Sequence, residues 1–468
     1  MRAFIQTIGS LPANFWILNL VSMLEKLAYW SVLLQLPIYI AQKDEPGGLG
    51  WEQSAKGWIY LFWALAQNLI PIFAGTFSDR LGRRKMLYLA FSIAAVAYVL
   101  IGTQREFYPF LFSVILLGLG LGIFKPSLQG ALAVQMNEKN SSTGWGVYFM
   151  LLNVAVFAGP PLSKWLKEIA WEYVFVGSAL IILLNFLVLL FFRDVKIIRK
   201  DRPMISQIFK KSIVDLSNKK LLSFIGLIAG FMLIYMQFYE TLPNFIYDWS
   251  DTSGIASWLG LPQSLMMQIG DRQMISYEWL YNVNAIIVIA FVVLMSWVFA
   301  SKNKINTIIF GISLAIIGLL VTGTDTAGGF LIAGMIIYSF GEIIVNPKYN
   351  EYISWIAPKD SKSQYLGYIN LSFAIGLGGG SLLGGYLYEN IGEKAGLSLD
   401  YIKANFPGET GIDKHNAFQR LMELSGLDHH QLTEMLWQQN NPGAVWYPFA
   451  AIGIASIIGL ILYKRKFG

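Results

Sequence analysis

Cysteine is absent from the 468 residues, and histidine occurs only at positions 415, 429 and 430. The first absence excludes disulfides, thiolate nucleophiles and cysteine metal sites. The second confines every imidazole to one segment, and His429–His430 has neither cysteine nor an organised carboxylate set beside it, so no metal or other cofactor is expected. His415, His429 and His430 are read as solvated surface residues. Charge is also scarce, at 14% of residues against 55% hydrophobic, with mean hydropathy +0.51. So little charge cannot cover a water-soluble globule of this length, and the chain reads as a polytopic membrane protein. A cleavable leader is not evident either: a single Arg precedes a helix that outruns a signal h-region and offers no small-residue cleavage site, so the first span is expected to be retained.

What the chain does contain is long apolar runs. They fall at about 14–41, 55–78, 84–103, 107–135, 144–163, 170–192, 221–247, 278–300, 305–323, 327–348, 363–388 and 444–463, each near or above the ~20 residues that span a bilayer. The expected fold is all-α: twelve transmembrane helices in two six-helix bundles, residues 1–193 and 221–468, joined by a cytoplasmic linker at 194–220. That is the six-plus-six organisation of transporters built from repeats. In the linker, Ile205, Ile208, Phe209, Ile213 and Leu216 recur at helical spacing beside Lys210, Lys211, Lys219 and Lys220. It is expected either to lie along the membrane surface or to be a solvated connector. The segments 248–277 and 389–443 are long. The second repeats apolar residues at helical spacing in NAFQRLMELSG and LDHHQLTEMLW, with Asp428 at an N-cap position, and predicts a small extracytoplasmic helical insertion.

The net charge of +6 is informative through its distribution. With the N-terminus inside, 22 bases fall on the cytoplasmic side and 10 on the other, Lys43, Lys56 and Lys414 among them, leaving Lys26, Lys125 and Lys348 within helices. The asymmetry places both termini in the cytoplasm and accounts for the basic balance without nucleic acid. A multi-pass, monomeric protein of the cell membrane is expected, a bacterial inner membrane being the natural setting, with the lipid bilayer as a partner.

Between the second and third spans stands GTFSDRLGRRK, residues 75–85, with five charged side chains between two apolar helices. Asp79 ends one helix, Arg80, Arg83, Arg84 and Lys85 crowd the turn, and Gly75 and Gly82 permit close backbone approach. The pattern resembles the loop 2–3 signature of the major facilitator superfamily. The resemblance implies that Gly75, Asp79, Arg80, Gly82, Arg83 and Arg84 gate the conformational change, with Asp79 and the nearby helix N-terminus as partners for Arg83.

Charged groups inside spans cost at least ~2.5 kcal/mol each and usually serve function. The candidates are Glu25 and Lys26 in the first span, Lys125 in the fourth, Glu240 in the seventh and Glu342 in the tenth. Glu25 and Lys26 point about 100° apart around a helix, so each is expected to seek a partner elsewhere. Glu25 and Lys125 are expected to face a cavity, Glu240, which Asn244 and its loop are near enough to solvate, either to face a cavity or to hold helices together, and Glu342 to lie in a helix opened by Pro347. Gly118, Gly120 and Gly122 before Lys125 read as a close helix-packing stripe.

Four of these segments together resemble the proton-dependent oligopeptide transporter branch of that superfamily. EKLAYW stands for its ERFxYY, GIFKPS for FKPN, YFMLLNVAVFAGP for FYMxIN with a later Pro, and GEIIVNP for GE with a later Ser-Pro. The resemblance implies proton coupling and carboxylate recognition at Glu25, Lys26 and Lys125, a cavity bounded by Tyr29 and Asn153, and Glu342 facing a substrate amine. The chain departs at Ser22, Lys26, Trp30 and Leu33, where that family has Glu, Arg, Tyr and Arg, and at Asn68, where a cavity Tyr is usual. Lys26 cannot reproduce the planar fork of Arg, so a bidentate carboxylate clamp is not available.

These features point to a proton-coupled symporter of a small polar, peptide- or amino-acid-like solute, working by alternating access. Lys26, Tyr29, Trp30, Asn68, Lys125, Asn153 and Glu342 are its candidate binding residues, and Glu25, Glu240 and Glu342 its candidate proton carriers. A proton-driven exporter of drugs or metabolites uses the same loop, and a non-transporting receptor or scaffold is the reading from another class. An enzyme is not expected, since no histidine lies in any span and no cysteine exists.

Overall fold

The computed structural model describes residues 9–136, 140–194, 217–299, 301–357, 365 and 368–467. Linker residues 195–216, and with them the expected surface helix, lie outside the described residues. Helices occupy all twelve expected span positions. The first is α1 (Ala13–Leu33), continued by α2 (Leu36–Ala41), and there follow α3 (Gln53–Leu81), α4 (Arg83–Thr103), α5 (Phe107–Ala133), α6 (Ser141–Ile169) and α7 (Trp171–Leu190). After the linker come α8 (Lys219–Glu240), α9 (Leu242–Trp249), α10 (Ser253–Leu259), a hairpin of β1 (Met266–Ile269) and β2 (Arg272–Ile275), α11 (Tyr277–Val298), α12 (Lys304–Thr322) and α13 (Gly328–Ile356). The chain ends with α14 (Ile369–Leu387), the short helices α15 (Lys394–Asn405), α16 (Ala417–Ser425) and α17 (His429–Asn440), and α18 (Trp446–Phe467). Among the described residues, nine helical segments are each long and apolar enough to cross a membrane.

Two spans break for the same reason. Pro37 and Pro243 stand in the first turn of α2 and α9, where a missing N–H costs nothing, so the helix ends just before each and restarts. Pro71, Pro126, Pro160, Pro161 and Pro347 lie inside helices, each removing one backbone donor.

The chain divides into two compact units: residues 1–33, 62–226 and 353–374 form one, and 34–61, 227–352 and 375–468 the other. In the first, the glycine stripe of α5 packs two neighbours at once. A Cβ on Gly118 or Gly122 would stand 2.8 Å from Ala66 Cβ or 2.7 Å from Ile70 Cβ of α3, while one on Gly120 would stand 3.0 Å from the Ala90 carbonyl of α4. Any side chain at these positions forces helices apart.

In the second unit, Ile287 of α11 and Ile343 and Ile344 of α13 form an apolar core. The predicted insertion is helical, and Asp428 caps α17 in a capping box with Gln431. It docks through aromatic contacts: Trp437 lies 5.7 Å from Trp249 and 5.9 Å from Phe245, and Trp249 Nε1 donates to the Gly392 carbonyl at 2.7 Å. The antiparallel hairpin pairs Met266 with Ile275, turning at Gly270 with φ +58°; strands of four residues leave too little alternation to be read from sequence. The expectation of solvated histidines holds for His415 but is corrected at His429. That ring is half-buried, 4.9 Å from Phe418, and burial, followed by the nearby Lys394, lowers its pKa to about 4.

Candidate transport site

The ionisable groups of the first unit meet on α1. Lys26 Nζ lies 3.3 Å from Glu25 Oε1 and 3.1 Å from Oε2, and Glu25 is 1% exposed against 28% for Lys26. The expectation that these neighbours cannot neutralise one another is therefore corrected: their long side chains close the 100° gap around the helix. The Lys26 ammonium also sits 4.8 Å from the Tyr29 ring centroid, one turn on, and Tyr29 packs on Trp63 of α3 at 5.8 Å.

Lys125 lies mid-span yet is exposed. Its Nζ is 3.4 Å from Asn370 Oδ1 and 5.9 Å from the Phe373 centroid, and it is close enough to Lys26 and Glu25 to interact with both electrostatically. Asn68 and Asn153 each donate their amide to the carbonyl four residues earlier, Ala64 and Phe149, at 2.8 Å. Trp30 marks a close helix crossing, since a Cβ on Gly159 of α6 would stand 2.9 Å from its own, and Ser31 Oγ reaches the Gly159 carbonyl at 3.1 Å.

The second unit holds its own carboxylates. Glu342 accepts from Asn284 Nδ2 at 2.9 Å, Tyr239 OH at 3.4 Å and Asn346 Nδ2 at 3.4 Å. Among the described residues no base lies within ion-pair distance of it, so neutral donors hold this carboxylate. Glu240 is fully buried, and its carboxylate oxygens meet no hydrogen-bond donor among the described residues. The expected solvation by Asn244 is corrected: that side chain donates to the Pro37 carbonyl and Gln42 Oε1 and accepts from Lys56 Nζ at 2.8 Å. Lys56 is completely buried, also donates to the Glu240 carbonyl oxygen at 3.2 Å, and is the charged neighbour of that carboxylate. It stands at the first residues of a predicted span and was counted with the loop charges, so its burial was not read from the sequence.

Outside the spans, the second unit carries a further polar network. Buried Asp248, whose carboxyl burial raises, accepts from Tyr388 OH at 2.6 Å, Gln42 Nε2 at 2.9 Å and the Lys394 backbone N–H at 3.4 Å. Lys414 of the insertion pairs with Glu52, with Glu393 at 2.8 Å and with Glu389 at 3.7 Å, and Lys43 joins Glu52 at 3.1 Å. Sequence separations of this size gave no signal for these pairings.

The loop 75–85 bends at Gly82, whose φ of +96° and ψ of 134° suit glycine alone, and α4 begins at the next residue. Buried Arg83 lies across α5, with Nε 3.4 Å from where a Cβ of Gly130 would stand. Arg84 donates its backbone N–H to Asp194 Oδ2 at 3.2 Å and its guanidinium to the Leu190 carbonyl at 3.4 Å. Asp194, at the end of α7, is a partner that sequence alone did not supply. Gly75 falls within α3, whereas the side chains of Asp79 and Arg80, and so the expected Asp79–Arg83 pairing, lie outside the described residues.

Long apolar helices, with buried acids and bases held in pairs and hydrogen bonds inside each unit, define a polytopic membrane carrier. The sequence profile of the Major Facilitator Superfamily matches residues 17–381, and the chain belongs to that superfamily of transporters; it is not an enzyme. It is 25% identical over 376 residues to the Na(+), Li(+), K(+)/H(+) antiporter of Planococcus maritimus, covering 75% of this chain and 83% of that one. It is 20% identical over 407 residues to the multidrug resistance protein MdtH of Blochmanniella pennsylvanica, covering 85% and 93%. Among solved structures, a bacterial homologue of the human lysosomal transporter Spinster matches with TM-score 0.72 at 13% identity over 97% of this chain and 98% of its own. The nucleoside transporter NupG matches with TM-score 0.70 at 11% identity, covering 97% and 100%. A POT family peptide transporter matches with TM-score 0.67 at 12% identity over 98% of both chains. At these identities the structural likeness establishes the fold.

Proposed function

We propose that the protein is a proton-coupled symporter that imports a small polar, amino-acid- or peptide-like solute by alternating access. The observation that carries this reading is the pairing of buried Glu25 with the partly exposed Lys26 at 3.1 Å, with Lys125 in electrostatic reach. Protonation of Glu25 removes the charge that holds Lys26 and leaves two bases for an acidic group of the substrate. Proton and substrate then favour the same conformational state, which is what coupling requires. Tyr29, Trp30, Asn68 and Asn153 are assigned to the surroundings of that group, Glu342 to a substrate amine, Glu240 to a second proton position, and the loop 75–84 to the cytoplasmic gate.

The test is Glu25→Gln in proteoliposomes, which keeps the shape and removes the titration. Accumulation driven by an imposed proton gradient should fail while counterflow of labelled substrate persists, since exchange needs no net proton movement. Retained accumulation moves the coupling site to Glu240 or Glu342, and loss of ligand binding makes Glu25 a substrate contact.

A second reading, proton-driven export, is favoured by the names of the curated relatives, a cation/proton antiporter and a multidrug resistance protein. Uptake into everted rather than right-side-out vesicles separates the two.

A further inference from the structure

At one end of the second unit, α11 and α13 border an open cleft of about 160 Å³. Its walls are mostly apolar, from Met295, beside Ser296, on α11, Phe299 just past its end, and Ile343, Ile344 and Pro347 on α13. An apolar space of this size holds hydrocarbon more favourably than water. Its rim is charged. Lys348, 5% exposed, donates to Glu351 Oε2 at 2.7 Å, and Lys304, at the start of α12, lies 3.0 Å from Glu351 Oε1. One carboxylate is therefore shared by two ammonium groups. Among the described residues no second acid lies within ion-pair distance of either lysine, so the rim carries one uncompensated positive charge.

A hydrocarbon-lined slot that ends in an unbalanced cation, between helices of a membrane protein, is complementary to one amphiphile. We infer that this cleft binds an anionic phospholipid, one acyl chain lying along Phe299 and Ile344 and the headgroup phosphate meeting Lys348 and Lys304. The charge excess selects a net negative headgroup over a zwitterionic one, and the slot selects a lipid over a free anion. The inference does not depend on the transported substrate.

Purified full-length protein, delipidated in detergent, is titrated with dioleoylphosphatidylglycerol, and bound lipid is counted by native mass spectrometry. Dioleoylphosphatidylcholine and inorganic phosphate are run in parallel. Phosphatidylglycerol should give one tight adduct and phosphatidylcholine a weaker one, and phosphate should not compete at equal concentration. Lys304→Gln, on a half-buried residue in a first helical turn, should weaken that adduct about fivefold, the scale of one base near an anionic headgroup. Lys348→Gln should weaken it at least as much, and Ser296→Trp, which fills the slot and leaves the lysines intact, should abolish it. Equal binding of the two lipids, or an unchanged adduct in Lys304→Gln and Ser296→Trp, would overturn the site as merely annular lipid. Competition by phosphate would reassign it to free anions.

Discussion

Glu393 offers a test of the polar network around Lys414 in which the sign of the pH dependence is the result. It precedes α15, is 2% exposed, and lies with Oε2 2.8 Å from Lys414 Nζ. Burial pushes its carboxyl up to about 7 from 4.5, against the opposing pull of Lys414. Below pH 4.5 the group is protonated in the folded and unfolded chains alike and contributes nothing to the pH dependence. Between 4.5 and about 7 the folded state alone holds the proton, so stability falls as pH rises. At ~1.4 kcal/mol per pH unit the loss reaches ~3 kcal/mol and then levels off. Glu393→Gln keeps the shape and has no proton to lose. Thermal unfolding of the purified protein, followed by tryptophan fluorescence at pH 4.5, 6 and 8, should therefore show wild type and variant closest at the lowest pH, with the variant increasingly the more stable as pH rises to about 7. Glu52→Gln is the control of opposite sign. Burial raises that carboxyl, but Lys414 and Lys43 outweigh it and hold it below its ordinary value, so its contribution is present at neutral pH and lost on acidification. A Glu393→Gln variant less stable than wild type at pH 8 would refute the reasoning, because the Lys414 pair would then outweigh burial.

Lys125→Ala should reduce concentrative uptake to background and leave the thermal midpoint near that of wild type, since its partners are an amide at 3.4 Å and a ring at 5.9 Å; wild-type uptake would make it a structural residue. Gly82→Ala should destabilise the protein by about 1–3 kcal/mol, the cost of a Cβ in backbone that glycine alone adopts, read as a lower thermal midpoint. An unchanged midpoint would mean that the turn relaxes without cost.

The spans were the most legible part of the chain because burial in lipid demands about twenty apolar residues and little else. Asp428 was legible as a cap because its partner lies three residues away in Gln431. Glu25, Lys26, Lys125, Glu240 and Glu342 could be singled out from the cost of charge within an apolar run, but their partners could not. Glu342 meets Asn284 across 58 positions of sequence and Lys414 meets Glu52 across 362, and no periodicity carries information over such distances. The 100° between Glu25 and Lys26 around the helix does not keep them apart, because the rotatable bonds of two long side chains let the tips meet. Lys56 shows the converse: a base at a span boundary reads as a loop charge until the packing around it buries it.

The three acids proposed as proton carriers are held by different chemistry, and that difference ranks them. Glu342 accepts from amides and from tyrosine hydroxyls, with no base within ion-pair distance among the described residues, so adding a proton there turns an acceptor into a donor among neutral groups. Glu240 has Lys56 as its charged neighbour, but that ammonium is already committed to Asn244 and a backbone carbonyl, and releasing it would require taking apart a fully buried set. At Glu25 the partner is a single flexible lysine, 28% exposed, with a second base in electrostatic range. In the proposed scheme, a proton there releases that lysine for an acidic group of the substrate. Of the three, Glu25 is thus the position where one proton alters what the site can bind at the least structural cost, which is the property that coupling needs.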